Sequence, residues 1–527
     1  MAKKILPFLI VLLISISASW GFLHHGFVPT HDAEYHIIRL WQFDRMVKSG
    51  DLFPRWAPDL NSGRGVPLFN FFYPLPNYVG EFFHILGFSF IDSIKLTLAL
   101  GMIMASLLFY LWAKSLWGSW AGVVGAIFYT LAPYHLLDLY VRGTPGEIWA
   151  LAFVPAVLWA IEQKRPVLGG IFLALLILAH NILAIIFFPF IISYAGLVIF
   201  LAKEKKYSIL NTLYTILMGL SLSAFFWLPA LVEAKYVTGL SVGNFSDHFP
   251  AFFQLLFPSW GTGFSVPGIM DEMSFQIGIP HLLVVLVTLF FLRKTPYLPF
   301  LFSWFMIIVF FLLEISSPVW KLIPGSDLIQ YPWRLLSLVI FTTSGTASVL
   351  IFCKQSKVLA VTLIFLALIF YEGYTKPVTY AQRNDDFYLA NPDWTTGTAT
   401  LGNSFSTIWL PTSQISKEKR MEISAKQAKI EKENFGPTSY SFQTTSSVSA
   451  KIKVNTAYFP GWRVWVNGKE NPVDFSQGLI NFEIPAGQNW VEVKFTNTRI
   501  RSIASSISLL GLVFIGTLGM IKKRTDK

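Results

Sequence analysis

The chain has 527 residues, of which 54% are hydrophobic, 16% aromatic and only 13% charged. This composition excludes an ordinary soluble protein and predicts a polytopic membrane protein, in which the formal net charge of +11 is explained by where the basic residues lie and indicates no nucleic-acid partner. The single cysteine, Cys353, excludes an intramolecular disulfide and a cysteine-based metal site, and we expect an inert thiol in a cytoplasmic loop.

Apolar segments predict about twelve membrane spans, because a helical span needs about 20 apolar residues. The predicted segments are 5–23, 93–113, 118–137, 147–162, 167–180, 182–202, 208–230, 275–292, 297–314, 333–352, 357–372 and 502–520. The stretch 167–202 is long for one span and short for two.

Loop charge decides between these two alternatives, because cytoplasmic loops accumulate Lys and Arg. With the N-terminus inside, every basic cluster falls on the cytoplasmic side only if 167–202 crosses twice. We therefore predict a tight or re-entrant pair of helices with His180 and Asn181 at the outer surface. The basic residues concerned are Lys3, Lys4, Lys114, Lys164, Arg165, Lys203, Lys205, Lys206, Arg293, Lys294, Lys354, Lys357, Lys522, Lys523 and Arg524.

This topology predicts cytoplasmic termini and three large outer regions, at 24–92, 231–274 and 373–500. The first segment, Ile5 to Trp20, also has the basic start and small residues of a signal peptide, but we favour an uncleaved first span. Either interpretation leaves the next loop outside.

A short polar cluster, His31-Asp32-Ala33-Glu34-Tyr35-His36, follows the first apolar segment. Thr30 is a good N-cap for a helix that runs to about Val47 and lies along the membrane surface. Asp32 and Glu34 would then sit at the outer bilayer surface. Carboxylates there can take a proton from an acceptor hydroxyl while a lipid-carried substrate lies in the membrane beside them.

A loop rich in Pro, Gly and aromatic residues follows at 50–76, and its aromatics suit the level of the lipid headgroups. Its Gly63-Arg64-Gly65 sequence lacks the phosphate-loop pattern.

The sequence pattern of the last outer region, 373–500, predicts a small β-sandwich. Trp462 to Val466, Asn467-Gly468 and Lys469 onward form the pattern of a hairpin with a tight turn. Leu479 to Ile484 and Trp490 to Phe495 predict a second hairpin. The sandwich either caps the active site, which we favour, or binds glycan.

Arg142 and Glu147 lie between the third and fourth predicted spans, with Asp138 just before them. Charges so close to the membrane are costly unless they are paired or used. They form either a structural ion pair or a second wall of an active site, in which Glu147 touches acceptor or metal.

Motifs spread over nearly the whole chain carry a resemblance to a known family. The motifs are His31–His36, Gly50–Trp56, Pro67–Pro74, Arg142–Glu147, His180-Asn181, Gln330–Arg334, Tyr458–Trp462 and Val466–Gly468. The chain resembles bacterial multi-span membrane proteins described as related to 6-pyruvoyl-tetrahydropterin synthase, although nothing in it resembles that soluble enzyme. It is also similar to YfhO-type membrane proteins and, more distantly, to GT-C glycosyltransferases.

The resemblance implies a mainly α, GT-C-like bundle of about 12 transmembrane helices with a small extracytoplasmic β-sandwich near the C-terminus. The implied domains are a membrane domain at 1–372, a β-rich domain at 373–500, and a final helix with a basic tail at 501–527.

GT-C enzymes place a catalytic acid in the first outer loop, so the resemblance implies Asp32 as the general base. Because the acids here are Asp-Ala-Glu rather than adjacent, Glu34 stays an alternative. His36, one helical turn from Asp32, either orients it or is an ordinary interfacial imidazole. Asp32, Glu34 and Glu147 offer oxygen ligands for a divalent metal, although nothing in their spacing demands one.

A departing polyprenyl phosphate needs a cation, and Arg334 at the outer start of the tenth span suits that role. Ordinary snorkelling to the interface explains Arg334 equally well. Arg39, Arg55 and Arg64 are lesser candidates for the phosphate.

His180 and Asn181, at the tip of the helix pair, either contact the sugar or simply cap a helix.

These observations predict an integral membrane glycosyltransferase of the cell envelope. It would transfer a sugar from a polyprenyl-phosphate donor in the membrane to a glycan, lipid or protein acceptor on the outer face. The alternatives are a flippase of lipid-linked saccharides, disfavoured because no internal repeat is evident, and a non-catalytic protein of polysaccharide assembly.

Overall fold

The structure is a computed structural model that describes residues 2–240, 245–290, 294–354, 357–410, 421–423 and 428–525. Contacts divide the chain into two compact units. The first, here called the helical unit, comprises Met1–Glu34, Tyr78–Ser223 and Ser241–Arg383, and the second, the β unit, comprises Tyr35–Asn77, Ala224–Leu240 and Asn384–Lys527. Residues 291–292 of a predicted span, the basic Arg293 and parts of the predicted 373–500 domain lie outside the described residues.

The helical unit is built from apolar helices. Its main helices are Ala2–Ala18, Leu75–Ile85, Phe90–Trp117, Ser119–Leu131, Pro133–Leu137, Pro145–Glu162, Pro166–Ala179, Asn181–Leu201, Lys205–Leu222, Ile279–Thr288, Tyr297–Leu312, Leu336–Lys354 and Lys357–Tyr371. Short helices at Trp20–Leu23, Phe252–Leu256 and Ser317–Trp320 connect them. In the apolar stretch Pro332–Cys353, 94% of the residues in its 18-residue apolar window are buried, whereas in Val358–Thr375 only 22% are. The first stretch is therefore central and the second peripheral.

The predicted membrane character is confirmed, whereas the predicted number of spans is not. By length and composition, six helices among the described residues can cross a membrane, or up to nine if each of three bent pairs is one span. Three further apolar helices, at Ile5–Ala18, Pro166–Ala179 and Ile279–Thr288, are shorter. The predicted 167–202 pair is indeed two helices, which separate at His180.

The β unit combines helices with two antiparallel sheets. Its helices are Leu68–Phe71, Ala224–Glu233, Asp385–Leu389, Asp393–Thr396, Arg499–Thr525 and most of Ala33–Lys48, whose first two residues belong to the helical unit. Its strands are β1 (Met421–Ile423), β2 (Ala428–Phe435), β3 (Ser439–Ser446), β4 (Ala450–Ala457), β5 (Trp462–Val466), β6 (Lys469–Asn471), β7 (Leu479–Ile484) and β8 (Gly487–Phe495). One sheet has the order β1-β4-β7 and the other β2-β3-β8-β5-β6.

The two sheets share one apolar core, as expected of a sandwich. Alternate residues of both sheets are buried in it, among them Tyr440, Phe442, Ile452, Val454, Ile480, Phe482, Val491 and Val493. Trp56 is also fully buried there and packs edge-on against Trp462 with ring centroids 5.5 Å apart. The expectation of a headgroup-level aromatic in the 50–76 loop is therefore wrong for Trp56.

One predicted hairpin is confirmed and the other is wrong. β5 and β6 pair across the Asn467-Gly468 turn, where both residues have positive φ, 52° and 77°. β7 and β8 do not pair with each other: β7 pairs with β4, and β8 lies between β3 and β5. The chain passes from one sheet to the facing sheet at Pro485, and both strands turn alternate apolar residues into the same core.

Candidate active site

The segment that carries Asp32 is fixed by backbone contacts within the helical unit. The N–H groups of His31 and Asp32 donate to the carbonyls of Val141 and Arg142, both at 2.9 Å. The Thr30 hydroxyl accepts from the N–H of Ala33 at 3.1 Å, as the predicted N-cap should. These bonds hold the start of the helix against the turn that ends at Arg142.

Gly143 makes this close approach possible. Its φ of 61° is left-handed, and a Cβ at this position would overlap the Thr30 hydroxyl. The chain therefore needs glycine here to bring residues 30–32 onto the 138–142 turn.

The two predicted acids of the cluster differ in their contacts. Asp32 is partly exposed, and within the described parts of the chain its carboxylate has no hydrogen-bond or ion-pair partner. Glu34 forms an ion pair with Arg383. Of the two carboxylates, Asp32 is the one available to a substrate.

His31 links the Asp32 segment to the loop after the 3₁₀ turn Phe245–His248. Its Nε2 lies 2.9 Å from the Thr262 carbonyl, and its ring stacks on Phe264 with centroids 4.1 Å apart. Burial lowers the pKa of the His31 imidazole below its usual value, against the opposing effect of the Thr262 bond. The ring is therefore neutral at neutral pH, with Nε2 as donor to the carbonyl.

Glu147 is the centre of a buried ionic cluster. Its Oε1 accepts from Arg142 Nη2 at 2.7 Å and from Arg334 Nε at 3.1 Å, and its Oε2 accepts from the Tyr134 hydroxyl at 3.0 Å. Arg142 Nη1 also donates to Asp138 Oδ1 at 2.6 Å. Two arginines thus balance two carboxylates, both of which are 0% exposed.

The helices around this cluster are irregular. The apolar helix Ser119–Leu131 bends by 46° into Pro133–Arg142, whose last turn, Asp138–Arg142, is π-helical. π-turns are frequent at functional sites because they redirect side chains within a helix. Here the turn ends on Arg142, and Glu147 follows in the first turn of Pro145–Glu162.

Hydrogen bonds fix the Nε and Nη1 atoms of Arg334 but not its Nη2 atom within the described residues. Its Nη1 donates to the Ile329 carbonyl at 2.8 Å and to Gln330 Oε1 at 2.6 Å. Gln330 adopts a φ of 69°, which is unusual for a residue other than glycine. Among the described residues no hydrogen bond uses Arg334 Nη2, so this nitrogen retains donors for a ligand.

Trp333 closes the cluster on one side. The guanidinium of Arg142 lies 4.7 Å from the centroid of its ring, and that of Arg334 lies 5.8 Å from it. The Trp333 indole N–H and Asp138 Oδ2 are buried, and neither has a hydrogen-bond partner in the described part of the chain.

His180 and Asn181 lie at the break between the helices Pro166–Ala179 and Asn181–Leu201. His180 is buried, its Nδ1 accepts from the N–H of Leu183 at 3.1 Å, and its Nε2 lies 3.9 Å from Glu147 Oε1. His180 is thus both a helix cap and a neighbour of the ionic cluster. Asn181 begins the helix Asn181–Leu201 and is partly exposed.

His36, Arg39 and Arg55 belong to the β unit. Arg39 Nη1 lies 3.3 Å from His36 Nε2, its Nε donates to the Ala399 carbonyl at 2.8 Å, and its guanidinium covers Phe72. Arg55 donates to Asn70 at 2.9 Å and to the Phe225 carbonyl at 2.8 Å. All three side chains are buried in polar contacts of their own unit.

Several residues of the cluster were missed by the sequence interpretation. Tyr134 carried no signal, because a tyrosine in an apolar segment is unremarkable. Gln330 and Trp333 lie inside the Gln330–Arg334 motif, and that motif was the signal that pointed to them.

Two of the three acids that the sequence offers as metal ligands already have partners. Both oxygens of Glu147 are occupied by Arg142, Arg334 and Tyr134, and Glu34 is paired with Arg383. Within the ranges that the structure describes, no group of three or more His, Cys, Asp or Glu side chains is arranged to hold a metal ion.

Comparison with known proteins shows similarity to membrane proteins and to two glycosyltransferases. An uncharacterised protein of Lactococcus lactis subsp. cremoris is 25% identical over 304 residues, which cover 54% of this chain and 48% of that protein. The chain thus spans about half the length of this relative. A mycobacterial arabinofuranosyltransferase, AftD, superposes with a TM-score of 0.43 and 14% identity over 71% of this chain and 27% of its own.

The oligosaccharyltransferase of Archaeoglobus fulgidus superposes with a TM-score of 0.40 and 12% identity, over 74% of this chain and 57% of its own. The model of the 6-pyruvoyl-tetrahydropterin synthase related domain, a membrane protein domain, matches residues 69–376, more than half of the chain. The chain belongs to this family of membrane proteins, as its sequence motifs indicated.

Proposed function

We propose that this protein is an integral membrane glycosyltransferase. It transfers a sugar from a polyprenyl-phosphate-linked donor in the bilayer to a hydroxyl of a glycan, lipid or protein acceptor on the extracytoplasmic face. In this proposal Asp32 is the general base, and Arg334 holds the donor phosphate.

The observation that carries the proposal is the contrast between Asp32 and the neighbouring acids. Glu34, Asp138 and Glu147 all pair with arginines, whereas the Asp32 carboxylate is partly exposed and has no partner among the described residues. A carboxylate without a partner beside a membrane bundle suits a general base that accepts the proton of an acceptor hydroxyl.

The proposed reaction is an in-line displacement at the anomeric carbon of the sugar. Asp32 takes the proton of the acceptor hydroxyl as the hydroxyl oxygen attacks the anomeric carbon of the sugar. The bond between that carbon and the phosphate oxygen breaks, and polyprenyl phosphate leaves with the electron pair. The enzyme's main contribution is to align the acceptor, the base and the leaving group.

The ionic cluster supports Arg334 as the group that stabilises the leaving phosphate. Glu147 and Gln330 fix its Nε and Nη1, so the guanidinium is oriented before the substrate arrives. Nη2 then supplies charge-assisted hydrogen bonds to a phosphate oxygen. His180, which is held near Glu147, and Asn181 are proposed to contact the sugar. Glu147 and Arg142 position Arg334.

The orientation follows from the distribution of basic loops. Lys and Arg concentrate in alternate loops, and cytoplasmic loops carry such an excess. We therefore place both termini in the cytoplasm and the Asp32 loop and β unit strands on the outer side of the cell membrane.

The proposal is tested by reconstituting the full chain in vesicles with radiolabelled polyprenyl-phosphate sugars and a membrane extract as the source of acceptors. Asp32→Asn should lower transfer about 10²–10⁴-fold. The matched control is Glu314→Gln, which alters an exposed acid of the same unit and should leave transfer unchanged.

Other outcomes would overturn the proposal. Label that changes leaflet without being transferred indicates a flippase. Neither transfer nor movement in the wild-type protein indicates a non-catalytic role in polysaccharide assembly. Equal transfer by Asp32→Asn removes Asp32 as the base.

A further inference from the structure

The outward face of the five-stranded sheet in the β unit carries two tryptophans on adjacent strands. Trp490 on β8 is 42% exposed, and Trp465 on β5 is partly exposed. Trp465 pairs with Glu492, two residues from Trp490, so the tryptophans are diagonal neighbours with Cα atoms about 7–8 Å apart. Exposed aromatics side by side on one sheet face are not needed for the core, which lies on the opposite face.

Trp490 is held in place rather than left mobile. Its backbone N–H donates to Asn467 Oδ1 and its carbonyl accepts from the Asn467 N–H, both at 2.8 Å. Its indole N–H donates to Glu492 Oε1 at 3.2 Å. A rigid, exposed aromatic loses little conformational freedom when a ligand covers it.

The same face is polar and electrically balanced. Its charged side chains form three ion pairs: Lys494–Glu492 at 2.6 Å, Lys429–Glu431 at 2.7 Å and Arg463–Glu470 at 3.5 Å. Gln443 lies opposite Trp490 on β3 and adds an amide. A neutral face with many donors and acceptors complements an uncharged polar ligand and gives no attraction to an anionic one.

A cavity of about 320 Å³ lies at the edge of this face. It is lined by Trp462, Arg463, Glu470, Asn471, Pro472 and Val473. The Trp462 side chain itself is buried in the core between the two sheets.

We infer that this face and cavity bind a neutral oligosaccharide. The flat C–H surfaces of successive sugar rings would stack on Trp465 and Trp490. Their hydroxyls would bond to Glu470, Glu492 and Gln443, with a terminal sugar in the cavity. This inference does not depend on sugar transfer, because it concerns binding alone and no residue near Asp32.

The inference is tested with the full-length protein in detergent micelles and a panel of neutral glucans, galactans, rhamnans and arabinans, by tryptophan fluorescence titration. Trp490→Ala should weaken binding about tenfold, and Trp490→Phe should restore most of it because a ring remains. Phe387→Ala, which removes an aromatic residue of the same unit with 44% exposure, is the matched control and should bind normally.

Asp32→Asn should also bind normally, which separates this inference from the proposed transfer reaction. Binding to no neutral glycan, or equal binding by Trp490→Ala, would overturn the inference. So would a Trp490-dependent fluorescence shift produced by glycan-free phospholipid vesicles, since that would make Trp490 a membrane anchor.

Discussion

Arg334 Nε donates to Glu147 Oε1 at 3.1 Å although the two residues are 187 positions apart in the chain. Glu147 begins one apolar helix and Arg334 precedes another, so this bond joins two central helices of the helical unit. Because Arg142 donates to the same carboxylate oxygen, Glu147 bonds to both guanidinium groups.

We expect Glu147→Gln to destabilise the protein strongly. It removes the buried negative charge that balances two arginines and leaves Asp138 alone with them, a change that typically costs about 3–5 kcal/mol in the free energy of unfolding. Thermal unfolding of the detergent-solubilised protein measures the effect. Glu314→Gln, at an exposed position, should unfold like the wild type, and similar unfolding of both variants would contradict the role given to Glu147.

Gly143→Ala should impair transfer more than it impairs folding. The left-handed φ of Gly143 costs an alanine about 1–2 kcal/mol, and its Cβ would push away the Thr30 hydroxyl and with it the Asp32 segment. The rate of transfer per folded molecule should therefore fall, in addition to any loss of folded protein. Gly196→Ala is the control, because a Cβ at that helical position meets nothing within 4 Å. Full transfer by Gly143→Ala would separate Asp32 from this turn.

The features that were predicted correctly from the sequence depend on residues close to one another in the chain. Asn467-Gly468 encodes its own turn, and Thr30 followed by an acidic helix start encodes its cap, so both were predicted from neighbouring residues. Arg142 and Glu147 are five positions apart, and their spacing near an apolar segment was enough to predict a charged cluster.

The features that were missed depend on distant contacts. β7 and β8 each alternate apolar and polar residues, and this pattern is the same whether two strands pair in one sheet or face each other across a core. Likewise Arg334 carries no mark of its partner Glu147, because a guanidinium near a membrane surface suits snorkelling equally well. The pairing of Glu34 with Arg383, over a separation of 349 residues, has no local signal either.

In the β unit, Arg501→Ala should loosen the last helix. The Arg501 side chain is 0% exposed and donates to Glu233 at 3.0 Å and to the Pro460 carbonyl at 2.9 Å, while Thr498 and Asn70 also donate to Glu233. Its loss leaves Glu233 buried without its cation, at a cost of about 3–5 kcal/mol. Hydrogen exchange of Arg499–Thr525 measures the loss of protection. Lys451→Ala, which removes an exposed ion pair with Asp474, should change little, and equal exchange in both variants would refute the prediction.

Acid should weaken the contact that His31 makes between the Asp32 segment and the loop that carries Thr262. In the unfolded chain this histidine titrates near its usual value of about 6.5, whereas burial lowers its pKa in the folded protein. The unfolded chain therefore binds the proton first, so stability is complete above about pH 6.5 and declines as the pH falls from there toward the folded pKa. His31→Gln keeps an N–H donor for the Thr262 carbonyl but cannot titrate, so its unfolding temperature should depend less on pH between about 7 and 5. The measurement is the difference between wild-type and His31→Gln unfolding temperatures across that range, and a difference that is constant with pH would show that His31 does not titrate on unfolding.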